Sequence, residues 1–167
     1  MTTVIGIDPG KNGGIAVVYP AGSTIMNMPD TPAELLSALM TEASDWDDCV
    51  CYLEKVGGMP GNGASAMFTF GREYGHIEMA LIAAGIPTIT VTPQTWQKYF
   101  NVGTISITKS SAAEKREHKH KLKVKAQQLF PEHAKHGNIT LKTCDALLIA
   151  TYGYKIENKG FTLPKDT

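Results

Sequence analysis

Short runs of apolar, β-branched residues alternate with turn residues at the start of the chain. Residues 3–7 form one such run, residues 13–19 form a second beyond a Pro-Gly turn, and residues 23–28 form a third that stops at Pro29. Runs of this kind, separated by proline and glycine, are typical of strands joined by tight connections. The pattern therefore predicts an antiparallel meander of three strands.

Farther along the chain, most apolar positions follow a helical period. Spacings of three and four residues predict five helices. The first starts at Pro32, and the other four cover residues 66–84, 93–100, 112–130 and 141–153. Two nearly continuous apolar runs, 49–56 and 88–91, instead predict buried strands, and the first of these is typical of a strand covered on both faces. This order of strands and helices predicts an α/β protein.

The charge of the chain is unevenly distributed along its length. The formal net charge is zero, but residues 1–108 carry four Lys/Arg against ten Asp/Glu, whereas residues 109–167 carry twelve against six. Most of the basic excess lies between Lys109 and Lys125. Such a run is either a solvated helix face or a surface that contacts a phosphate backbone.

Length and composition indicate one globular domain. The chain has 167 residues, of which 43% are hydrophobic, and we expect residues 1–157 to form the domain and residues 158–167 to be a frayed tail. Because we find neither a membrane-spanning apolar run nor a signal peptide, we expect a cytoplasmic protein with no membrane partner. Cys49, Cys51 and Cys144 are expected to be buried thiols rather than a disulfide or a metal site.

Three acidic residues lie in otherwise apolar surroundings. Asp8 ends the first predicted strand, Glu54 interrupts the run 49–56, and Asp145 lies within the last predicted helix. A buried carboxylate must be paired, protonated or bound to a metal, although Asp8 could also simply end a strand and cap its turn. Hard oxygen ligands suit Mg²⁺ or Mn²⁺, and two such ions can activate water and stabilise the leaving oxygen of a phosphodiester.

These acids and their neighbours resemble the motifs of the RuvC-type Holliday junction resolvases of the RNase H-like superfamily, particularly compact bacteriophage-type members. The resemblance rests on residues 6–10, 53–56 and 144–150 and extends from residue 3 to about residue 155. It implies a mixed five-stranded sheet flanked by helices, with the three acids as catalytic ligands of two Mg²⁺ ions, or of Mn²⁺ as a substitute. It further implies a homodimeric crossover junction endodeoxyribonuclease of DNA recombination and repair, which nicks four-way junctions to give 5′-phosphate and 3′-hydroxyl ends.

The same resemblance assigns roles to residues outside the acidic set. It places the dimer contact on the predicted helix 66–84, at Phe70, Gly71, Tyr74, Gly75 and Glu78. It makes residues 57–65 a junction-opening loop with Met59 or Phe68 as a wedge against bases, although this glycine-rich stretch could equally be a plain linker. The basic candidates for DNA contact are Lys11, Lys98, Lys119, Lys121, Lys123 and Lys125.

Lys142 departs from the family pattern, because many relatives have an acid or a histidine one helical turn before the last aspartate. Lysine cannot bind Mg²⁺, so fewer protein ligands would hold one of the ions. Lys142 would then be a catalytic residue that stabilises charge in the transition state, or else a surface lysine. By the same resemblance, Lys121 and Lys123 are the nearest matches to lysines that lie near the scissile phosphate.

Three alternative functions remain open from the sequence. A RuvC-like nuclease for flaps or replication forks would carry the same acids. Actin-like and sugar-kinase ATPases share an aspartate and a glycine after the first strand, but they need a second lobe and leave Glu54 and Asp145 unexplained. A catalytically inactive junction-binding module is favoured only by Lys142.

Overall fold

The structure is a computed structural model that describes residues 1–45, 47–57, 63–106 and 109–159. Its elements are β1 (Thr3–Asp8), β2 (Gly14–Tyr19), β3 (Gly22–Asn27), α1 (Pro32–Asp45), β4 (Cys49–Glu54), α2 (Ala64–Ala83), β5 (Thr88–Val91), α3 (Pro93–Tyr99), α4 (Ala112–Leu129), α5 (Pro131–Lys135) and α6 (Cys144–Glu157). The strands form one sheet in the order β3-β2-β1-β4-β5. Strands β1 to β3 pair antiparallel, whereas β1 with β4 and β4 with β5 pair parallel. The expected mixed five-stranded sheet is confirmed.

Helices cover both faces of the sheet, so its central strands have two buried faces. In β1, Val4 belongs to the core beneath α6 and α4, whereas Ile5 and Ile7 belong to the core beneath α1 and α2. Successive side chains of a strand point to opposite faces, so covering both faces requires apolar residues at every position. This explains why the sequence of β1, β2 and β4 reads as continuous apolar runs.

Helix α6 lies unusually close to β1 because glycine faces it. A Cβ atom on Gly6 would lie 2.3 Å from the backbone nitrogen of Ala150 and 2.4 Å from the carbonyl oxygen of Ala146. Residues 144–151 of α6 are all buried. The absence of a side chain at Gly6 therefore fixes the distance between the middle of the sheet and the start of α6, where Asp145 lies.

The structure corrects two expectations about secondary structure. Strand β5 is not buried, because it is at the edge of the sheet and Thr88, Ile89 and Thr90 are exposed. The last helix begins at Cys144 rather than at residue 141, and its N-cap is Thr143 rather than Thr140.

Three further expectations concern cysteines, the tail and membranes. All three cysteines are free, but Cys49 is only half-buried. Asn158, the first residue of the expected tail, exchanges hydrogen bonds with the backbone of Thr2, while residues 160–167 lie outside the described part of the chain. Among the described helices, none combines the length and the apolar character needed to cross a membrane.

Candidate active site

The three acids come from three elements that meet at the carboxyl ends of the parallel strands β1 and β4. Strands β1 and β4 are parallel neighbours in which Ile7 is in register with Leu53, so Asp8 and Glu54 follow at the same end of the two strands. Asp145 lies in the first turn of α6, the helix that packs directly on β1. The parallel register and the close packing at Gly6 together bring the three carboxylates to one place.

Lys119 of α4 provides the positive charge between two of these acids. Its ammonium group donates a hydrogen bond to Oδ2 of Asp145 and lies 3.7 Å from Oδ2 of Asp8. The side chain of Lys119 is 31% exposed, and those of Asp8 and Asp145 are 14% and 11% exposed. Lys119 was expected only as a DNA contact, and the structure places it inside the acidic site.

The buried face of α4 determines which lysine reaches the acids. His118, Leu122 and Ala126 form a buried stripe at a spacing of four residues, and His118 hydrogen-bonds Gln97 of α3 at 3.0 Å. Lys119 lies beside this stripe. Lys121, which the resemblance favoured, points elsewhere and pairs with Glu117 at 2.7 Å on the exposed surface.

Glu54 has its own partner, which sequence reasoning missed. The indole Nε1–H of Trp96 donates a hydrogen bond to Oε2 of Glu54 at 2.8 Å, and Trp96 is fully buried in α3. The signal was present in the sequence, since a buried tryptophan must find an acceptor for its N–H group. Because α3 directly follows β5, the strand next to β4, Trp96 reaches the end of β4.

Burial and the charge of Asp145 raise the pKa values of two of the acids, Asp8 and Glu54. Burial raises the pKa of Asp8 well above its usual range, and the charge of Asp145 adds to this effect. Burial also raises the pKa of Glu54 to about 7, although the hydrogen bond from Trp96 opposes the shift. Burial would lower the pKa of Lys119, but the charges of Asp145 and Asp8 outweigh it and raise that pKa. When all three are ionised, the carboxylates carry three negative charges against the single positive charge of Lys119.

This donor set fits a divalent cation by its chemistry. The three carboxylates offer hard oxygen ligands, and a dication would favour the charged forms of Asp8 and Glu54, whose pKa values are raised by burial and by the charge of Asp145. In the described ranges, no group of three or more His, Cys, Asp and Glu side chains already forms a metal site. Instead, Asp8 and Asp145 meet at Lys119. Asp8, Glu54 and Asp145 are therefore the residues that would hold Mg²⁺.

Cys144 is a further neighbour of the site that was not expected there. Its thiol donates to Oδ1 of Asp145 at 3.3 Å, so the two oxygens of this carboxylate have different partners. Burial and the adjacent Asp145 raise the pKa of the thiol, which keeps it protonated and able to donate. Cys144 and Lys119 therefore hold different oxygens of Asp145.

Lys142 does not lie on the last helix as expected. It is exposed in the turn before α6, so the prediction of a last helix that begins at residue 141 and includes Lys142 is wrong. Among the ion pairs of the described residues, none involves Lys142. The backbone carbonyl oxygen of Lys142 would lie 3.2 Å from a Cβ atom on Gly14. The catalytic role of Lys142 stays a prediction.

The other expected DNA contacts are spread over several elements. Lys11 and Lys98 are exposed in the turn after β1 and near the end of α3, and Lys123 and Lys125 are half-buried on α4. Phe68 is 72% exposed in the first turns of α2. Met59 lies outside the described residues. Among the described side chains of this set, none forms a hydrogen bond or ion pair with the three acids, and the DNA-binding roles of the whole set stay predictions.

The expected dimer residues divide between two sides of α2. Phe70 and Tyr74 are half-buried; Phe70 approaches Gly10 and Tyr74 packs on the core beneath α1 and α2. Gly71 and Glu78 are exposed, and Cβ atoms on Gly71 and Gly75 would meet nothing within 4 Å. We call the outward residues of this helix the α2 outer face: Phe68, Gly71, Gly75, Glu78, Met79 and Ile82.

Comparisons with known proteins identify the class of fold. No protein-family model matches this sequence, and no curated protein matches it at a significant level. RuvC of Thermus thermophilus in complex with Holliday junction substrate is similar in structure, with a TM-score of 0.59 and 14% identity over 95% of this chain and 97% of that chain. A second Thermus thermophilus RuvC structure gives a TM-score of 0.58 and 14% identity over 94% and 96%.

The chain therefore has a RuvC-like fold, within the RNase H-like architecture. At this level of identity the likeness concerns the arrangement of the elements. It does not extend to the bacteriophage-type subgroup that the sequence motifs suggested.

Proposed function

We propose that this protein is a divalent-metal-dependent endonuclease that cuts branched DNA, with four-way junctions as its main substrate. The observation that carries the proposal is the convergence of Asp8, Glu54 and Asp145 at the carboxyl ends of β1 and β4 in a RuvC-like sheet. The structural neighbour bound to a Holliday junction substrate supports the choice of substrate class.

Asp8, Glu54 and Asp145 would hold Mg²⁺, with Mn²⁺ as a substitute, and we propose two ions in each site. When bound, the ions supply an activated water and stabilise the leaving oxygen, which gives 5′-phosphate and 3′-hydroxyl ends. The protein supplies orientation: Trp96 holds one oxygen of Glu54, and Cys144 holds one oxygen of Asp145. Fixed carboxylates lose little conformational freedom when a cation binds.

Positive charge near the acids would position the DNA strand. Lys119 is the lysine closest to the proposed cleavage site, and Lys123 and Lys125 continue along α4. Exposed Lys11 and Lys98 would contact phosphates farther away, and Phe68 would act as the wedge. Since phosphate contacts of this kind are independent of sequence, they suit a nuclease that recognises the shape of its substrate.

Paired cleavage of a four-way junction needs two active sites, which we propose come from a homodimer formed through the α2 outer face. This face exposes Phe68, Met79 and Ile82 to the extent of 72%, 61% and 69%. Its two glycines would let the backbone of another helix approach closely. Apolar residues flanking small ones are suited to contact between helices.

Substitution of Asp8 by asparagine tests the function. Asp8→Asn removes one charged ligand but keeps the shape and the basic surface, so we expect junction binding to persist and cleavage to be lost. Asp47→Asn, an exposed position between α1 and β4, is the matched control and should cut normally. Normal cleavage by Asp8→Asn would contradict the assignment of the site.

The substrate is tested by comparing four-way, three-way, flap and linear DNA on gels with and without Mg²⁺. We expect cleavage only with the metal and fastest on the four-way junction. Equal cleavage of all branched forms would favour a nuclease for flaps and forks. Hydrolysis of ATP without any cutting of DNA would favour the ATPase alternative, and binding without cutting would favour an inactive junction-binding module.

A further inference from the structure

The ammonium of Lys119 occupies the place where carboxylates from two different elements meet. It bonds Asp145 and lies 3.7 Å from Asp8. Glu54 is held separately by Trp96. Within the described ion pairs, Lys119 is the only cation that approaches either aspartate. The two oxygens that face the ammonium are therefore already engaged in this state of the protein.

A divalent ion and this ammonium group compete for the same oxygens. Mg²⁺ requires carboxylate oxygens at about 2.0–2.1 Å in near-octahedral geometry. An ammonium group that is hydrogen-bonded to Asp145 and paired with Asp8 hinders that approach, and the two cations repel each other. For this reason, metal binding at Asp8 and Asp145 requires Lys119 to move.

The side chain of Lys119 is able to move, whereas its helix is not. The hydrogen bond between His118 and Gln97 and the burial of Leu122 fix α4 against its neighbours. Ser111 and Glu114 form a capping box that fixes the start of the helix. Lysine has a flexible four-carbon stem, and the side chain of Lys119 is partly exposed. The ammonium can swing outward, and a DNA phosphate offers it a new anionic partner.

We propose that Lys119 is an internal counter-ion that competes with divalent metal for Asp8 and Asp145, and that DNA releases this competition by drawing the ammonium onto a phosphate. This inference rests on the proposed function, because it takes the acids to be metal ligands. Metal and DNA then bind cooperatively, and by linkage each tightens the other by the same factor. The protein would hold metal weakly until substrate arrives.

Metal affinity without DNA tests the competition directly. Titration of Mn²⁺, followed by electron paramagnetic resonance, would compare the wild type, Lys119→Met and the control Lys115→Met. Lys115 is exposed one turn earlier on the same side of α4. We expect Lys119→Met to bind Mn²⁺ about tenfold more tightly than the wild type, within the usual range of such couplings, and Lys115→Met to match the wild type.

Thermal unfolding separates this role from a purely structural one. Without metal, Lys119→Met should unfold at a lower temperature than the wild type, because two carboxylates lose their counter-ion. Saturating Mn²⁺ should raise the unfolding temperature of the variant more than that of the wild type. If Lys119→Met does not fold without metal, Lys119→Gln keeps a hydrogen-bond donor for Asp145 and is measured in its place.

The second half of the inference is tested by junction affinity in EDTA and in Ca²⁺, with DNA integrity checked on denaturing gels. We expect Ca²⁺ to tighten junction binding by the wild type and to do so less for Lys119→Met. Unchanged or weaker Mn²⁺ binding by Lys119→Met would overturn the inference while leaving the metal-dependent nuclease intact. Failure of every variant and the wild type to bind Mn²⁺ would instead refute the proposed function as well.

Discussion

Replacement of Gly6 by alanine should damage both the stability and the activity of this protein. The added Cβ would lie 2.3 Å from the backbone nitrogen of Ala150, 2.4 Å from the carbonyl oxygen of Ala146 and 2.8 Å from the Cα of Ala150. Ordinary van der Waals contact begins at 3.4 Å. All three atoms belong to the backbone of α6, so no flexible side chain can turn aside.

The size of the effect follows from this overlap. Relief of the clash requires α6 to move away from β1 by about 1 Å, and strain of this kind in a packed core typically costs about 1–3 kcal/mol. Because the contacts are with backbone, we expect a loss of about 3 kcal/mol, which lowers the unfolding temperature of a domain of this size by roughly 6–12 °C. The shift would also move Asp145 away from Asp8, and a misplacement of about 1 Å can slow catalysis by roughly 100-fold.

Thermal unfolding followed by circular dichroism measures the first effect, and junction cleavage at a temperature where the variant is folded measures the second. Gly57→Ala is the control for stability, since a Cβ there would meet nothing within 4 Å. We expect it to change the free energy of unfolding by less than about 0.5 kcal/mol. If Gly6→Ala unfolds at the same temperature as Gly57→Ala, the close packing of α6 on β1 is wrong.

Two further predictions concern the α2 outer face and pH. Because a Cβ on Gly71 meets nothing within 4 Å, Gly71→Ala should stabilise the monomer by about 1 kcal/mol and weaken self-association in sedimentation velocity; unchanged association would argue against the proposed dimer contact. Burial raises the pKa of Glu54 from its usual 4.5 to about 7, so the metal-free native state binds this proton more tightly than the unfolded chain and should lose stability as pH rises between these values. In urea titrations, Glu54→Gln should reduce this pH-dependent loss in the free energy of unfolding by at most about 3 kcal/mol. An unaltered pH dependence would contradict the burial of Glu54.

Helix α4 illustrates why the sequence did not predict that Lys119 reaches the acids. Val124, one of the few apolar residues of this helix, is 38% exposed. The buried stripe runs instead through His118, Leu122 and Ala126. This helix has so few apolar residues that the sequence does not determine which side of the helix is buried. Only the packing of α4 against α3 and α6 determines the buried side, and that packing directs Lys119 to the acids.

The strands and the acids at their ends were readable from the sequence, because a strand covered on both faces needs apolar residues throughout, and a carboxylate that interrupts such a run is conspicuous. The partners of those acids were not readable, since Trp96 and Lys119 lie 42 and 26 residues away from Glu54 and Asp145 along the chain. Local patterns specify which residues are costly to bury. Only the tertiary fold, through strand order, the approach of α6 at Gly6 and the rotation of α4, decides which groups relieve that cost.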